Sequence, residues 1–224
     1  MNTIFIEAEK PETAEHFFLT ALMAKYFPDM EYELIHMRGV ANLFNETNLN
    51  LLRSKTAEGA NCLAILDADT EVKGWGYVYR KADVEQKQQE HDMAFPFFLY
   101  PDNAGEGDVE MLMESLARKD LHPTFFKCFS QYEMCVGGEL DAQGNQRYNT
   151  PDLKGKLHTY MSAQKLSKAK RDRLGRGDWL FDDLNYWDLG RESVQPLVKF
   201  LEANLTGTES PKMNDSGEEV RRAK

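Results

Sequence analysis

The chain has no CxxC pair and only three cysteines, Cys62, Cys128 and Cys135, in 224 residues. That odd, scattered set excludes a disulfide framework or zinc ribbon and makes a reducing cytoplasm the expected setting. The five histidines (His16, His36, His91, His122 and His158) show neither HxxxH nor HExxH spacing, so no zinc site is expected. Neither GxxxxGK(S/T) nor GxGxxG occurs, which removes P-loop nucleotide binding and the usual dinucleotide site. No run of roughly 18 apolar residues is present, and no basic segment followed by an apolar one marks the start. A soluble, intracellular protein without a membrane segment is the expectation. Positive charge is also in deficit, with 27 Lys and Arg against 37 Asp and Glu, for a net charge of -10. A protein held on nucleic acid by bulk electrostatics is therefore excluded, although a nuclease with its basic residues concentrated in one place is not.

What is present fits a globular domain: 42% hydrophobic and 11% aromatic residues, enough to bury a sizeable core. The first hundred residues alternate strand-like and helix-like segments. TIFIE (residues 3–7), EYELIHM (31–37), NCLAILD (61–67) and MAFPFFLY (93–100) read as strands. Pro96 places the last of these near an edge. Helices are predicted from Pro11 onward, with Ala14, Phe17, Phe18, Ala21 and Leu22 at helical spacing, then over 40–54 and 77–90. Strands separated by helices at this rhythm imply a mostly parallel sheet, so the fold class is α/β with four strands flanked by helices. The second half reads as helices over 108–118, 123–136, 152–169 and 192–204. A division follows: an α/β core over 1–120, a mainly helical region over 121–205 packed on it, and a polar disordered tail over 206–224.

Three of the four strands run into acids. The first ends at Glu7, the third at Asp67-Ala68-Asp69, and the fourth is followed by Asp102, Asp108 and Glu110. Ligands of open parallel sheets bind beyond the carboxyl ends of the strands. In an extended segment, residues i and i+2 point the same way, so Asp67 and Asp69 are expected to face one ion. Mg²⁺ takes oxygen ligands, typically one or two carboxylates with waters and phosphates. Each acid also has an ordinary reading: a strand end meeting a polar loop or, for Asp108, a helix N-cap.

The order of these motifs, IFIEAEKPE and then LAILDADTE two βα units later, resembles the TOPRIM domain of topoisomerases, primases and OLD-family nucleases. LYPDNAGEGDVEMLMESL and DLKGKLHTYMSAQ are similar to small standalone TOPRIM-like proteins, and the likeness covers about residues 3–164. It implies Mg²⁺- or Mn²⁺-assisted phosphodiester cleavage or transfer, with Glu7, Asp67 and Asp69 as metal and acid–base residues. By the OLD-type variant, Asp102 and Glu110 join the metal ligands, and Lys156 (or Lys154) is the catalytic lysine. Relatives of this kind often accompany an ATPase in phage defence, so an ATPase partner is implied. One departure stands out: the glycine usual after the glutamate is Ala8 here.

Residues 154–176 hold eight basic side chains and one acid, Asp172, a local reversal of sign. Lys154, Lys165, Lys168, Lys170, Arg171, Arg173 and Arg176 are the candidate nucleic-acid contacts; the alternative is a solvated helix and basic loop. Trp179, Phe181, Tyr186 and Trp187 follow, either to stack on bases or to pack in the core. Cys128 and Cys135, seven residues apart on a helix, are expected in the core. Three functions stay open: a Mg²⁺-dependent nuclease, a catalytically degenerate binding module of the same fold, and a small-molecule phosphohydrolase.

Overall fold

The structure, a computed structural model, describes residues 1–205. The tail expected over 206–224 lies outside the described residues. Four parallel strands, β1 (Asn2–Ile6), β2 (Tyr32–His36), β3 (Asn61–Asp67) and β4 (Phe97–Tyr100), form one sheet in the order β2-β1-β3-β4. The chain leaves β1 for β2 on one side and returns past it to β3 on the other. The crevice between the carboxyl ends of β1 and β3 is thus the point where strand order reverses, the usual ligand position in such sheets.

Both central strands are buried on their two faces, which explains their near-continuous apolar sequences. Ile4, Ile6, Leu63, Ile65, Phe98 and Tyr100 face one layer; Phe5, Cys62, Ala64, Leu66 and Leu99 face the other. The second layer contains α2 (Glu46–Ala57) and α3 (Tyr77–Glu90). The first contains α1 (Ala14–Tyr26), α4 (Val109–Leu116) and the C-terminal helices, including α6 (Leu153–Ser162) and α8 (Gln195–Asn204). Residues of the helical region, such as Leu157, Tyr160, Trp187 and Leu197, share one core with β1, β3 and β4.

Several boundaries differ from the sequence reading for identifiable reasons. Thr13, not Pro11, opens α1, because its side chain accepts the His16 N–H and caps the helix. Between residues 40 and 54 a 3-10 turn (Val40–Asn42) precedes α2, which Asn45 caps. The long helix expected over 152–169 stops at Ser162, and Ser167 caps a separate α7 (Lys168–Leu174). Pro123 does stand in the first turn of α5 (Pro123–Gly137). That helix buries Phe129 against the domain, so Cys128 and Cys135 lie on its outer face and are exposed, contrary to the core position expected for them. The aromatic run behaves as core: Trp179, Phe181 and Trp187 are buried, and Trp187 Nε1 donates to the Trp179 carbonyl at 2.6 Å.

Candidate functional site

At the β1/β3 crevice, β1 delivers Glu7 and β3 delivers Asp67 to the same edge. The Asp67 N–H donates to Glu7 Oε1 at 2.6 Å, and the Val109 N–H, at the start of α4, donates to Asp67 Oδ1 at 2.9 Å. Beside them, in the first turn of α1, sits Glu15, which the sequence reading passed over. Only 8% of its surface is exposed; the Ala8 N–H donates to its Oε2 at 2.8 Å, and its Oε1 is buried without a partner. A signal for Glu15 existed. It falls on the same helical face as Phe18, Leu19 and Leu22, and an acid in the apolar phase of a helix asks for an explanation.

Glu110 of α4 completes this acid pole, and Lys154 of α6 reaches it with Nζ 3.6 Å from Glu110 Oε1. Glu7, Glu15, Asp67, Glu110 and Lys154 all line one cleft, with Thr13 and Val109 in its wall. An adjoining cleft shares Asp67, Glu110 and Lys154 and adds Lys73, Asp108 and Asp152. Asp108 and Asp152 are also N-caps, of α4 and α6, so their backbone positions are fixed by the helices they open.

Burial dominates the electrostatics. It pushes the Glu7 carboxyl up to about 7, against the pull of the Asp67 N–H and the Arg80 charge. Glu15 is pushed up to about 8, by burial first and by the Glu7 charge second. Asp67 is raised well above its ordinary value by the same two causes, and Glu110 is raised by burial despite Lys154. Behind them Tyr100 is fully buried, its hydroxyl is also unpartnered, and burial raises it well above its ordinary value. Burying this much acid against only Arg80 and Lys154 disfavours the ionised forms.

The other sequence candidates are distributed differently. Asp69 does not line either cleft, although its charge adds to the rise at Glu7. An extended chain would have aimed it alongside Asp67, but β3 ends at Asp67 and Asp69 adopts a φ of 56°, turning the chain. Its carboxylate is held by Arg80 at 2.7 Å and by Lys73 at 3.1 Å. Asp102 is exposed and closes its own loop, accepting the Ala104 and Gly105 N–H groups at 3.0 and 2.7 Å. Lys156 points away from the cleft and ties α6 to its neighbours through Glu114 at 3.2 Å and Glu133 at 3.9 Å. Ala8 is not among the residues with positive φ, so the backbone there has no need of glycine.

In the basic stretch, acids from the following loop offset part of the charge. Lys170 pairs with Asp183 at 2.6 Å, and Arg173 with Asp178 and Asp182 at 2.6 and 2.7 Å. Arg171 donates to the Leu166 carbonyl at 3.0 Å. Lys165, Lys168 and Arg176 are exposed and make no ion pair among the described residues.

Among the described residues, no three His, Cys, Asp or Glu side chains are already drawn together as a metal-ion cage. The acid pole nonetheless fits a hard cation by its chemistry: all-oxygen donors and an orphaned, buried carboxylate oxygen at Glu15. No helix among the described residues is long and apolar enough to cross a membrane.

Comparison with known proteins adds one match. A family model described as a protein of unknown function (DUF3226) matches residues 12–206, a span that takes in Glu15, Asp67, Asp69, Glu110 and Lys154. No curated protein and no solved structure matches the chain. Because the match covers most of its length, the chain belongs to the DUF3226 family.

Proposed function

We propose that this protein is a divalent-cation-dependent phosphodiesterase of the TOPRIM-like kind, acting on nucleic acid. The observation that carries the reading is Glu15, a buried carboxylate with an unpartnered oxygen beside Glu7 and Asp67, at the strand-order reversal of a parallel sheet. A fold retains so costly an arrangement where a ligand offsets it. Mg²⁺ or Mn²⁺, held by Glu7, Glu15, Asp67 and Glu110, would supply Lewis-acid stabilisation of a phosphate and acidify a water.

The protein's own groups have separate roles. In the metal-free protein burial favours the protonated form of Glu15, and a cation at its unpartnered Oε1 would take the place of that proton. Glu7, raised to about 7 by burial in the metal-free protein, would give up its proton as the cation binds. Lys154, largely exposed at the cleft mouth, is placed to meet a phosphate oxygen and offset its charge. A second reading, a binding module without turnover, draws on the absence of a drawn-together cage among the described residues.

A cleavage assay on single- and double-stranded DNA and RNA, with Mg²⁺, Mn²⁺ or EDTA, tests the proposal. Cleavage that EDTA abolishes supports it; metal binding without cleavage of any of the four substrates selects the second reading.

The lysines give a sharper check when cleavage is paired with salt-dependent binding to the same substrates. Lys154→Gln is expected to slow cleavage and to lower the slope of log K against log[salt] by about 0.9, the value of one lost phosphate contact. Lys156→Gln should instead cost stability, on the order of 1 kcal/mol, with the slope unchanged, since its partners are Glu114 and Glu133. If Lys156→Gln lowers the slope and Lys154→Gln does not, the cleft-facing assignment of Lys154 is wrong.

A further inference from the structure

Two acid poles adjoin at the cleft, and they are not alike. At the first, Glu15 Oε1 is buried with no partner. At the second, Asp69 already carries two cations. Its Oδ2 is held at 2.7 Å by Arg80, which is itself 3% exposed and stacked on the Trp75 ring at 3.8 Å. Its Oδ1 is held by Lys73 Nζ at 3.1 Å, and the same ammonium stands 4.0 Å from Asp108 Oδ2. Lys73 lines the cleft together with Asp67, Asp108 and Glu110.

The loop that carries Lys73 is anchored. The Gly76 N–H donates to the Ala68 carbonyl at 3.2 Å, the Trp75 N–H to the Thr70 carbonyl at 3.1 Å, and the Glu71 N–H to Glu106 Oε2 at 2.6 Å. Lys73 is therefore presented to Asp69 and Asp108 by a braced 3-10 turn (Glu71–Lys73), not by a free loop.

From this asymmetry we infer that the site takes one divalent cation, at the Glu7–Glu15 pole, and that Lys73 supplies the positive charge of the second pole from the protein itself. The inference rests on the metal-dependent reading proposed above. A divalent ion between Asp69 and Asp108 would have to displace the Lys73 ammonium and would face its repulsion if it stayed. The bound phosphate then meets an ion on one side and a fixed ammonium on the other. The substrate class that suits this pairing is a phosphodiester, whose single negative charge needs less neutralisation than a phosphomonoester dianion.

Calorimetric titration of the metal-free full chain with MnCl₂ counts the ions directly. Wild type is expected to bind one equivalent. Lys73→Met, at a side chain 57% exposed and so tolerant of exchange, should bind two. Lys73→Met combined with Asp69→Asn should return to one, and Lys73→Arg should stay at one. Two equivalents in wild type, or one in Lys73→Met, would overturn the inference while leaving the metal-dependent reading intact. No Mn²⁺ binding by wild type would overturn both.

Discussion

Glu7→Gln and Asp67→Asn are each expected to lower the rate of Mg²⁺-dependent phosphodiester cleavage about a thousandfold, near 4 kcal/mol of lost transition-state stabilisation, with the fold intact. The amide replacements keep the hydrogen-bonding oxygens: Glu7 Oε1 accepts the Asp67 N–H and Asp67 Oδ1 accepts the Val109 N–H, and a Gln or Asn oxygen can do the same. Only the charge is removed. Glu15→Gln should cost less, roughly 10- to 100-fold, most of it recovered by raising the Mg²⁺ concentration, the pattern of a group that tunes metal affinity. Asp102→Asn should leave the rate unchanged, because that carboxylate serves its own turn at Ala104 and Gly105. Steady-state cleavage rates with circular dichroism on each variant decide the matter. A full rate in Glu7→Gln would remove the acid pole from the chemistry.

The metal-free protein is expected to lose stability as pH rises from 6.5 to 8, and saturating Mg²⁺ to reverse that slope. The sign comes from Glu7 and Glu15, whose ordinary value of 4.5 is raised by burial to about 7 and about 8 in the folded state. Below 4.5 both states hold these protons and the pH has no leverage. Between 4.5 and 8 the folded state binds more protons than the unfolded one, so stability falls with rising pH, by up to about 1.4 kcal/mol per unit for each group. Below 6.5 a second pair opposes the trend. His16 Nδ1 and His36 Nε2 are 3.0 Å apart, and burial lowers both, so acid protonates them preferentially in the unfolded chain. The window from 6.5 to 8 therefore isolates the carboxylates. There, Mg²⁺ at one hundred times its dissociation constant should add about 2.7 kcal/mol. Glu7→Gln should raise metal-free stability at pH 8 and shrink the Mg²⁺ gain, two movements in opposite directions that surface acids do not produce. Denaturant titrations at pH 6.5 and 8, with EDTA and with Mg²⁺, measure both; a Mg²⁺ gain equal in wild type and variant would exclude the site.

Local pattern carried the elements well where one physical cause dominated. Residues 61–67 and 77–90 match β3 and α3 residue for residue, because an uninterrupted apolar run and an uninterrupted polar helix each permit little else. The strand read over 93–100 does lie at the sheet edge, but it begins only at Phe97, so that Pro96 stands before it and not within it. The arrival of Glu7 and Asp67 at one crevice was also legible, since parallel pairing of β1 with β3 sends both strand ends the same way. Less local facts were hidden. Asp69 left the cleft lining because of one left-handed residue, a conformation that Asp tolerates and that no spacing reveals. Choosing Lys154 over Lys156 required knowing which face of α6 meets α4, a tertiary fact. The basic stretch looked uncompensated because its counter-ions, Asp178, Asp182 and Asp183, arrive from the next loop.

The most direct test of a cation at the Glu7–Glu15 pole is a crystal of the protein grown or soaked with Mn²⁺, with the ion located by its anomalous scattering. A single peak is expected within about 2–2.5 Å of carboxylate oxygens from Glu7, Asp67 and Glu15, the distance range of hard-cation ligation, with Lys73 still on Asp69. A peak between Asp69 and Asp108, or no peak at a Mn²⁺ concentration that supports cleavage, would contradict it.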